Sequence, residues 1–315
     1  MPWKLLIDLS AIQSKKDNPI SYKVMVNKWR DMARLARPLY RNKNGNAELV
    51  ASGFLYLKDD RKFLISAAHA ADDAGSAGEN SHSRISNMPL MAIVAAEKKD
   101  DRQAVEMTIA PGGMNAILDD VPKYGADLLI ANPPLPLIAP HIGCRLKVVP
   151  RPGMLALVCG FPITYQGERK GFADPTWIGL LTTVAHVSPD EKVWLNFNTK
   201  KLFNEQNQRH KLRSVSKENR GWNAENYLVE GMSGGPIFGC DIDYVINNNE
   251  LFGHGVDLSI CLGLIGVITD CHTIESGKYQ YEHKWKGKKP SHFMMGPSKV
   301  ALDKFVESAL MLNVI

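Results

Sequence analysis

A serine between glycines is the strongest chemical signal in the sequence. Ser233 lies in the string Gly-Met-Ser-Gly-Gly-Pro, between an apolar run and a predicted strand. Glycine adopts backbone conformations that other residues avoid, so a tight turn of this kind can expose a hydroxyl and aim successive backbone N–H groups at one point. The string therefore indicates a nucleophile beside an oxyanion hole. The alternative is a glycine-rich hairpin turn without chemistry.

A serine hydroxyl is a poor nucleophile near neutral pH and needs a base. His69 is the candidate, because it ends an apolar strand in the string Ser-Ala-Ala-His-Ala, where small neighbours leave room for an imidazole. The other histidines lie in polar loops, lack a carboxylate motif after them, or follow the serine. The alternative is a histidine whose hydrogen bonds are satisfied in the core or in a loop.

The third group must be a carboxylate that orients the imidazole and stabilises its protonated form. Asp127 fits this role, because it follows a Gly-Ala pair and opens the apolar run Leu-Leu-Ile-Ala. A carboxylate beside a buried strand is costly unless hydrogen bonds hold it. The alternative is a capping or turn aspartate.

The segments around these residues predict two β-rich units between two helices. Apolar residues at helical spacing predict a helix over Ile20–Leu39, closed by Pro38. Short β-rich runs follow as far as Pro133–Pro140, a stretch whose prolines suit neither a helix nor a central strand. A second β-rich series comes next, and a helix with one apolar face begins near Pro297.

With these motifs the sequence resembles the chymotrypsin/trypsin-like serine peptidase family, as an intracellular, bacterial-type member. That family carries a histidine in a TAAH-like motif, an aspartate in a DIALL-like motif and a serine in GDSGGP. The corresponding strings here are SAAHA, ADLLIA and GMSGGP, in the same order. The resemblance spans roughly Leu39 to the C-terminal helix, with somewhat longer separations than in compact members.

The resemblance implies an all-β fold of two antiparallel Greek-key β-barrels, with an N-terminal helical extension and a C-terminal α-helix. The expected domains are a helical extension at residues 1–38, a first barrel with His69 and Asp127 at 39–132, a proline-rich linker at 133–144, a second barrel with Ser233 at 145–296, and a C-terminal helix at 297–315.

The family's mechanism implies a serine endopeptidase, a hydrolase that needs no metal or cofactor. Ser233 would attack a peptide carbonyl, His69 would carry the proton, and Asp127 would hold His69. The N–H groups of Gly231 and Ser233 would bind the oxyanion, and the hydroxyl of Thr269 would support the aspartate. The alternative is a catalytically silent pseudoprotease that acts as a protein-binding module.

The resemblance also implies a substrate pocket. Its expected residues are Tyr227, Glu230, Thr269, Asp270 and Cys271. Tyr227 stands where an acid would select lysine or arginine, so that preference is not implied, although Glu230 or Asp270 would supply an acid if the alignment moved slightly.

One residue departs from the family pattern just before the serine. Many extracellular members have an aspartate there, which pairs with a new N-terminus after zymogen cleavage, and this chain has Met232. We therefore expect activity without N-terminal cleavage, with control coming from surface loops or from a regulatory protein.

Composition and charge exclude several other classes. The 315 residues are 44% hydrophobic and 23% charged, and no apolar run approaches the length of a membrane span. The net charge is +5, but the densest basic run, Lys284–Lys289, carries one aromatic residue, so nucleic acid is not an expected partner. The expected partner is a protein substrate, which could be a single cognate protein.

The N-terminus and the cysteines predict a cytoplasmic protein. Asp8 interrupts the first apolar stretch before it reaches the length of an export signal. The five cysteines have no CxxC spacing and are odd in number, which indicates reduced thiols. A bridge such as Cys240 to Cys271 is the open alternative.

Overall fold

The computed structural model describes the chain in separate ranges. The described residues are 3–8, 19–43, 46–71, 90–98, 101–109, 115–119, 127–132, 142–143, 148–163, 167–169, 172–197, 202–204, 231–241, 262–273 and 292–311.

The described elements are nineteen strands, two α-helices and a 3-10 turn at Ala68–Ala71. The first nine described strands are β1 (Trp3–Asp8), β2 (Ala36–Lys43), β3 (Asn46–Lys58), β4 (Arg61–Ala67), β5 (Leu90–Lys98), β6 (Asp101–Ile109), β7 (Asn115–Asp119), β8 (Leu128–Asn132) and β9 (Ile142–Gly143). The later strands are β10 (Leu155–Gly160), β11 (Gly167–Arg169), β12 (Phe172–Asp174), β13 (Trp177–Val187), β14 (Lys192–Phe197), β15 (Leu202–Asn204), β16 (Pro236–Cys240), β17 (Leu262–Val267), β18 (Asp270–Thr273) and β19 (His292–Pro297). The helices are α1 (Pro19–Ala33) and α2 (Lys299–Met311).

The strands form two sheets that repeat one topology. The first sheet has the order β6-β5-β2-β3-β4-β8-β7, and the second has the order β17-β16-β10-β13-β14-β19-β18. In the first sheet β2, β3 and β4 form a meander, β5 and β6 lie beside β2, and β8 pairs with β4. In the second sheet β10, β13 and β14 form the meander, β16 and β17 lie beside β10, and β19 pairs with β14. All pairs along both paths are antiparallel. The predicted all-β class, with two antiparallel Greek-key units, is confirmed.

A single bridge closes the second sheet into a barrel. Gly266 in β17 pairs antiparallel with Ser298, the residue that follows β19. A closed sheet leaves fewer unpaired strand edges and turns alternate side chains into one interior. That interior is an apolar cluster from seven strands, which includes Val158, Leu180 and Leu195.

Strand β10 shows how the two sheets share the core. All six of its residues are buried, so both of its faces are covered. Ala156 and Val158 point into the second barrel, whereas Leu155 and Leu157 join a cluster with residues of the first sheet and both helices. A strand covered on both faces has a continuous apolar run, in agreement with the sequence of β10.

The first helix ends earlier than its sequence predicts. The apolar spacing predicted a helix over Ile20–Leu39, but α1 ends at Ala33 and Pro38 lies in β2. Pro38 pairs with β3, and the pairing of β2 with β5 begins only at the next residue, so the missing N–H is not needed there. No helix in the described ranges is long and apolar enough to cross a membrane.

The C-terminal helix α2 joins the two sheets, as its predicted apolar face allows. Its buried side chains include Leu302, Phe305 and Val306. The Asp303 carboxylate accepts a hydrogen bond from the Tyr56 hydroxyl of the first sheet. Lys304 lies 2.7 Å from the carboxylate of Glu191, in the turn before β14. The helix therefore fixes the position of one sheet against the other.

An N-terminal strand that the sequence analysis did not predict joins the second sheet. Strand β1 pairs in parallel with β13 and antiparallel with β15. Leu5, Leu6 and Ile7 are buried, and the Trp3 ring stacks on Trp177 at a centroid distance of 4.7 Å. The first residues are thus part of the second barrel's sheet.

Candidate active site

The register between β4 and β8 brings His69 next to Asp127. Ala67, the last residue of β4, pairs with Leu128, the first residue of β8. The residues just beyond these ends, His69 after β4 and Asp127 before β8, therefore meet at one edge of the first sheet. The 3-10 turn Ala68–Ala71 lifts the histidine out of the sheet, and 44% of its side chain is exposed.

Two hydrogen bonds from one carboxylate hold His69. The Asp127 Oδ1 atom accepts from the backbone N–H of His69 at 3.0 Å, and the Oδ2 atom lies 2.6 Å from the ring Nδ1. An ionised carboxylate can only accept hydrogen bonds, so Nδ1 carries the ring proton. The opposite ring nitrogen, Nε2, then has the lone pair that can take a proton.

Asp127 adopts a conformation that few residues other than glycine adopt. Its φ is +49°, in the left-handed region, which costs a residue with a side chain about 1 kcal/mol or more. The two bonds to His69 and a third from Ala68 N–H to the Asp127 carbonyl, at 2.9 Å, offset that cost. The sequence pattern indicated a costly, buried carboxylate, but 35% of this side chain is exposed.

Glycines allow the turn around Ser233 to touch the first sheet. Gly231 and Gly234 have φ values of +89° and +84°. A Cβ atom at Gly234 would lie 2.1 Å from the Ser52 carbonyl oxygen and 2.7 Å from the N–H nitrogen of Ala67, so only glycine fits. The turn therefore lies against the end of β4, two residues from His69.

The backbone of this turn is fixed from both sheets. The Ser233 carbonyl accepts from Ser52 N–H at 2.8 Å, on the first sheet. Gly234 N–H donates to the Ile268 carbonyl at 2.5 Å, beside β17 of the second. Gly235 N–H donates to the Met232 carbonyl at 2.9 Å. Ser233 thus lies at the junction of the sheets.

The predicted oxyanion donors are the N–H groups of Gly231 and Ser233. A trans peptide holds its N–H opposite its carbonyl, so the Ser233 N–H points away from the bond between Met232 and Gly235. Among the turn and loop contacts of the described residues, neither Gly231 nor Ser233 donates its N–H to a backbone carbonyl.

Ser233 contacts the first sheet through its backbone, since its carbonyl accepts from Ser52 N–H. The structure therefore brings two of the three predicted catalytic side chains into contact and lays the backbone of the third beside them.

The predicted pocket is described in part. Tyr227 and Glu230 lie outside the described residues, and for Cys271 only the backbone is described. Asp270 is half-buried in β18 and pairs with Met295. Thr269 is buried and donates its N–H to the Met295 carbonyl at 3.0 Å, but no hydrogen bond joins its hydroxyl to Asp127 in the described part of the chain.

One site residue has no sequence signal. The buried Ser52 in β3 donates its hydroxyl to the Gly231 carbonyl at 2.7 Å and accepts from Phe161 N–H at 2.9 Å. The Ser66 hydroxyl donates to the Ser52 carbonyl at 2.7 Å. These contacts span long sequence separations, and an ordinary strand serine gives no indication of them.

A cysteine beside the turn, Cys159, is not a competing nucleophile. Cys159 is fully buried in β10, and burial raises the pKa of its thiol, which keeps it protonated. Cys240 is buried as well, and the side chain of Cys271, its partner in the alternative bridge, lies outside the described residues.

Comparisons with known proteins give a likeness in structure and none in sequence. No family model matches the chain, and no curated protein sequence matches it. Among solved structures the chain is similar to a serine endoprotease from Yersinia pestis, with 13% identity, a TM-score of 0.46 and 92% of this chain covered. The chain spans 66% of the length of that protein. The activity of this chain therefore has to be argued from its own residues.

Proposed function

We propose that the protein is a serine endopeptidase of the chymotrypsin/trypsin-like class, with His69, Asp127 and Ser233 as its catalytic residues. The observation that carries the proposal is the His69–Asp127 pair, in which one carboxylate holds both the ring and the backbone of the histidine. The glycine turn with Ser233 lies against the strand that ends at this pair. A nucleophile, a base and an orienting acid are then available together.

In the proposed reaction Ser233 Oγ attacks the carbonyl carbon of a peptide bond while its proton passes to His69 Nε2. The carbonyl oxygen becomes an oxyanion that the N–H groups of Gly231 and Ser233 stabilise. His69 then gives its proton to the leaving amine as the C–N bond breaks, which leaves an acyl ester on Ser233. Water attacks the ester, His69 takes a water proton, and that proton returns to Ser233 as the acid product leaves.

An edge strand beside the turn supports an extended peptide as the substrate. Strand β18 (Asp270–Thr273) ends the path of the second sheet, and within the described residues it pairs only with β19. It follows Ile268, whose carbonyl binds the turn at Gly234. An extended segment of a protein substrate can add to such an edge through backbone hydrogen bonds.

Covalent labelling tests the proposal. A fluorophosphonate probe should form one adduct, on Ser233, because the probe reacts with serines that a neighbouring base activates. Intact-mass and peptide mass spectrometry would locate the adduct. Ser233→Ala should give none, and Ser298→Ala, a buried serine at the start of α2, should label at the wild-type rate. Absence of labelling in a folded wild-type protein would instead favour the pseudoprotease.

The labelling rate should also depend on pH. Neutral His69 is the proposed base, and histidine side chains generally lose their proton between about pH 5.5 and 7.5. The rate should therefore rise through that range and level off above it. A rate that stays constant from about pH 5 to pH 8 would argue against a histidine base.

A further inference from the structure

We propose that Ser52 is a positioning residue for the oxyanion hole, which acts through the carbonyl group of Gly231. The inference rests on the proposed function, because this geometry affects a reaction only if Ser233 is a nucleophile. Ser52 belongs to β3 of the first sheet, whereas Gly231 lies in the turn before β16 of the second. One side chain from the first sheet thus holds a peptide group of the second.

Ser52 binds the turn at two points. Its N–H donates to the Ser233 carbonyl at 2.8 Å, and its hydroxyl donates to the Gly231 carbonyl at 2.7 Å. Peptide groups are planar, so the two bonds fix the peptide plane between Gly231 and Met232 and the one between Ser233 and Gly234. The plane between Met232 and Ser233 is fixed by Gly235 N–H. The hydrogen bond from the Ser52 hydroxyl therefore orients the peptide plane between Gly231 and Met232.

Gly231 needs such a contact more than another residue would. Its φ of +89° lies in a region where glycine moves freely, so the backbone itself offers little resistance to rotation. Loss of the contact at the Gly231 carbonyl would free the Gly231 Cα to shift, and a change in its φ would re-aim the N–H before it. That N–H is one of the two proposed oxyanion donors, and its alignment decides how strongly it stabilises the charge.

Close packing restricts the Ser52 hydroxyl to one position. A Cβ atom at Gly160 would lie 2.8 Å from Ser52 Oγ, and one at Gly231 would lie 2.7 Å from the Phe161 carbonyl oxygen. The hydroxyl accepts a hydrogen bond from Phe161 N–H at 2.9 Å and donates one to the Gly231 carbonyl, so it acts as both donor and acceptor. Its removal would leave two buried backbone groups without this partner, a penalty that favours rearrangement of the turn.

Ser52→Ala should slow acylation of Ser233 without weakening substrate binding. With p-nitrophenyl acetate as the substrate, the acylation rate constant should fall about ten- to hundredfold, less than the 10²–10³-fold for loss of a whole oxyanion donor. The half-saturation concentration should change by less than about twofold, because a positioning residue that acts on the transition state leaves ground-state binding intact.

Two matched serine variants separate positioning from general loosening. Ser21 is buried in α1, and its hydroxyl has no hydrogen-bond partner among the described residues, so Ser21→Ala should acylate at the wild-type rate. Ser66→Ala removes the hydrogen bond to the Ser52 carbonyl but leaves the bond to Gly231, so its loss should be smaller. Thermal unfolding of all three variants shows how much each change loosens the fold.

A second readout does not depend on activity. In protein labelled with ¹³C and ¹⁵N glycine, the NMR carbonyl and amide resonances of Gly231 should shift in Ser52→Ala and stay in place in Ser21→Ala. Wild-type acylation rates in Ser52→Ala, or equal losses in Ser52→Ala and Ser66→Ala that follow their melting temperatures, would overturn the proposal. If wild type itself is not acylated, the proposed function fails, and unshifted Gly231 resonances would overturn the role of Ser52 separately.

Discussion

Replacing Asp127 with asparagine should lower kcat by roughly four orders of magnitude while the fold survives. In the wild type the carboxylate accepts from the Nδ1 proton of His69 at 2.6 Å and from the His69 backbone at 3.0 Å. An asparagine amide would turn a donor toward one of these groups, which favours the tautomer with the proton on Nε2. That tautomer is not able to accept the proton of Ser233.

The fold should survive because asparagine suits the backbone at this position. Asparagine, like aspartate, is enriched in the left-handed region that a φ of +49° requires. Asp31→Asn, at an exposed aspartate on α1, is the matched control and should keep wild-type activity. Rates of fluorophosphonate labelling and of peptide turnover would measure the effect. A loss below about tenfold for Asp127→Asn would show that another acid orients the histidine.

Local patterns were enough to predict the elements that carry the site. The apolar runs beside His69 and Asp127 predicted β4 and β8, and the two helices were predicted from their apolar spacing. The glycines around Ser233 predicted a tight turn, and the positive φ values of Gly231 and Gly234 confirm it. Each of these features depends on neighbours in sequence, which a single chain displays directly.

The features that were missed depend on contacts between distant residues. Strand β1 is a short apolar run whose partner, β13, lies far along the chain, so nothing near it indicated a strand. The sequence around Pro38 predicts the end of a helix, because the place of Pro38 beside β3 is visible only once β2 and β3 are paired. Ser52 is the same case, since its partners Phe161 and Gly231 come from the other sheet.

Removal of strand β1 should inactivate the protein, and an added N-terminal domain should not. Met232, just before the proposed nucleophile, is 1% exposed and belongs to the apolar cluster inside the second barrel. Leu6 of β1 belongs to the same cluster. An uncharged, buried side chain is unsuited to capture a newly formed α-amino group, and the cluster that holds it already includes the N-terminal strand.

The burial energy of the β1 side chains predicts that deletion of the strand destabilises the fold. Burial of Leu5, Leu6 and Ile7 contributes about 2 kcal/mol for each side chain, a large share of the roughly 5–15 kcal/mol that stabilises a domain. Deletion of residues 1–8 should therefore lower the melting temperature strongly and abolish labelling of Ser233. Leu6→Ala, which leaves a cavity in the apolar cluster to which Met232 belongs, should lower the free energy of unfolding by about 2–5 kcal/mol. Val149→Ala, at a side chain that is 69% exposed, is the control and should change neither stability nor labelling.

A folded domain fused ahead of Met1 through an uncleavable linker makes the decisive comparison, because it blocks any activation that needs a free N-terminus. The fused and untagged proteins should label at rates within about twofold, with intact N-termini by mass spectrometry. Strand β1 pairs with β13 and β15 through its backbone, and those pairings use residues 3–8 without the chain terminus. Activity that appears only after cleavage between β1 and β2 would contradict the prediction, since that cleavage releases the strand that the second barrel needs.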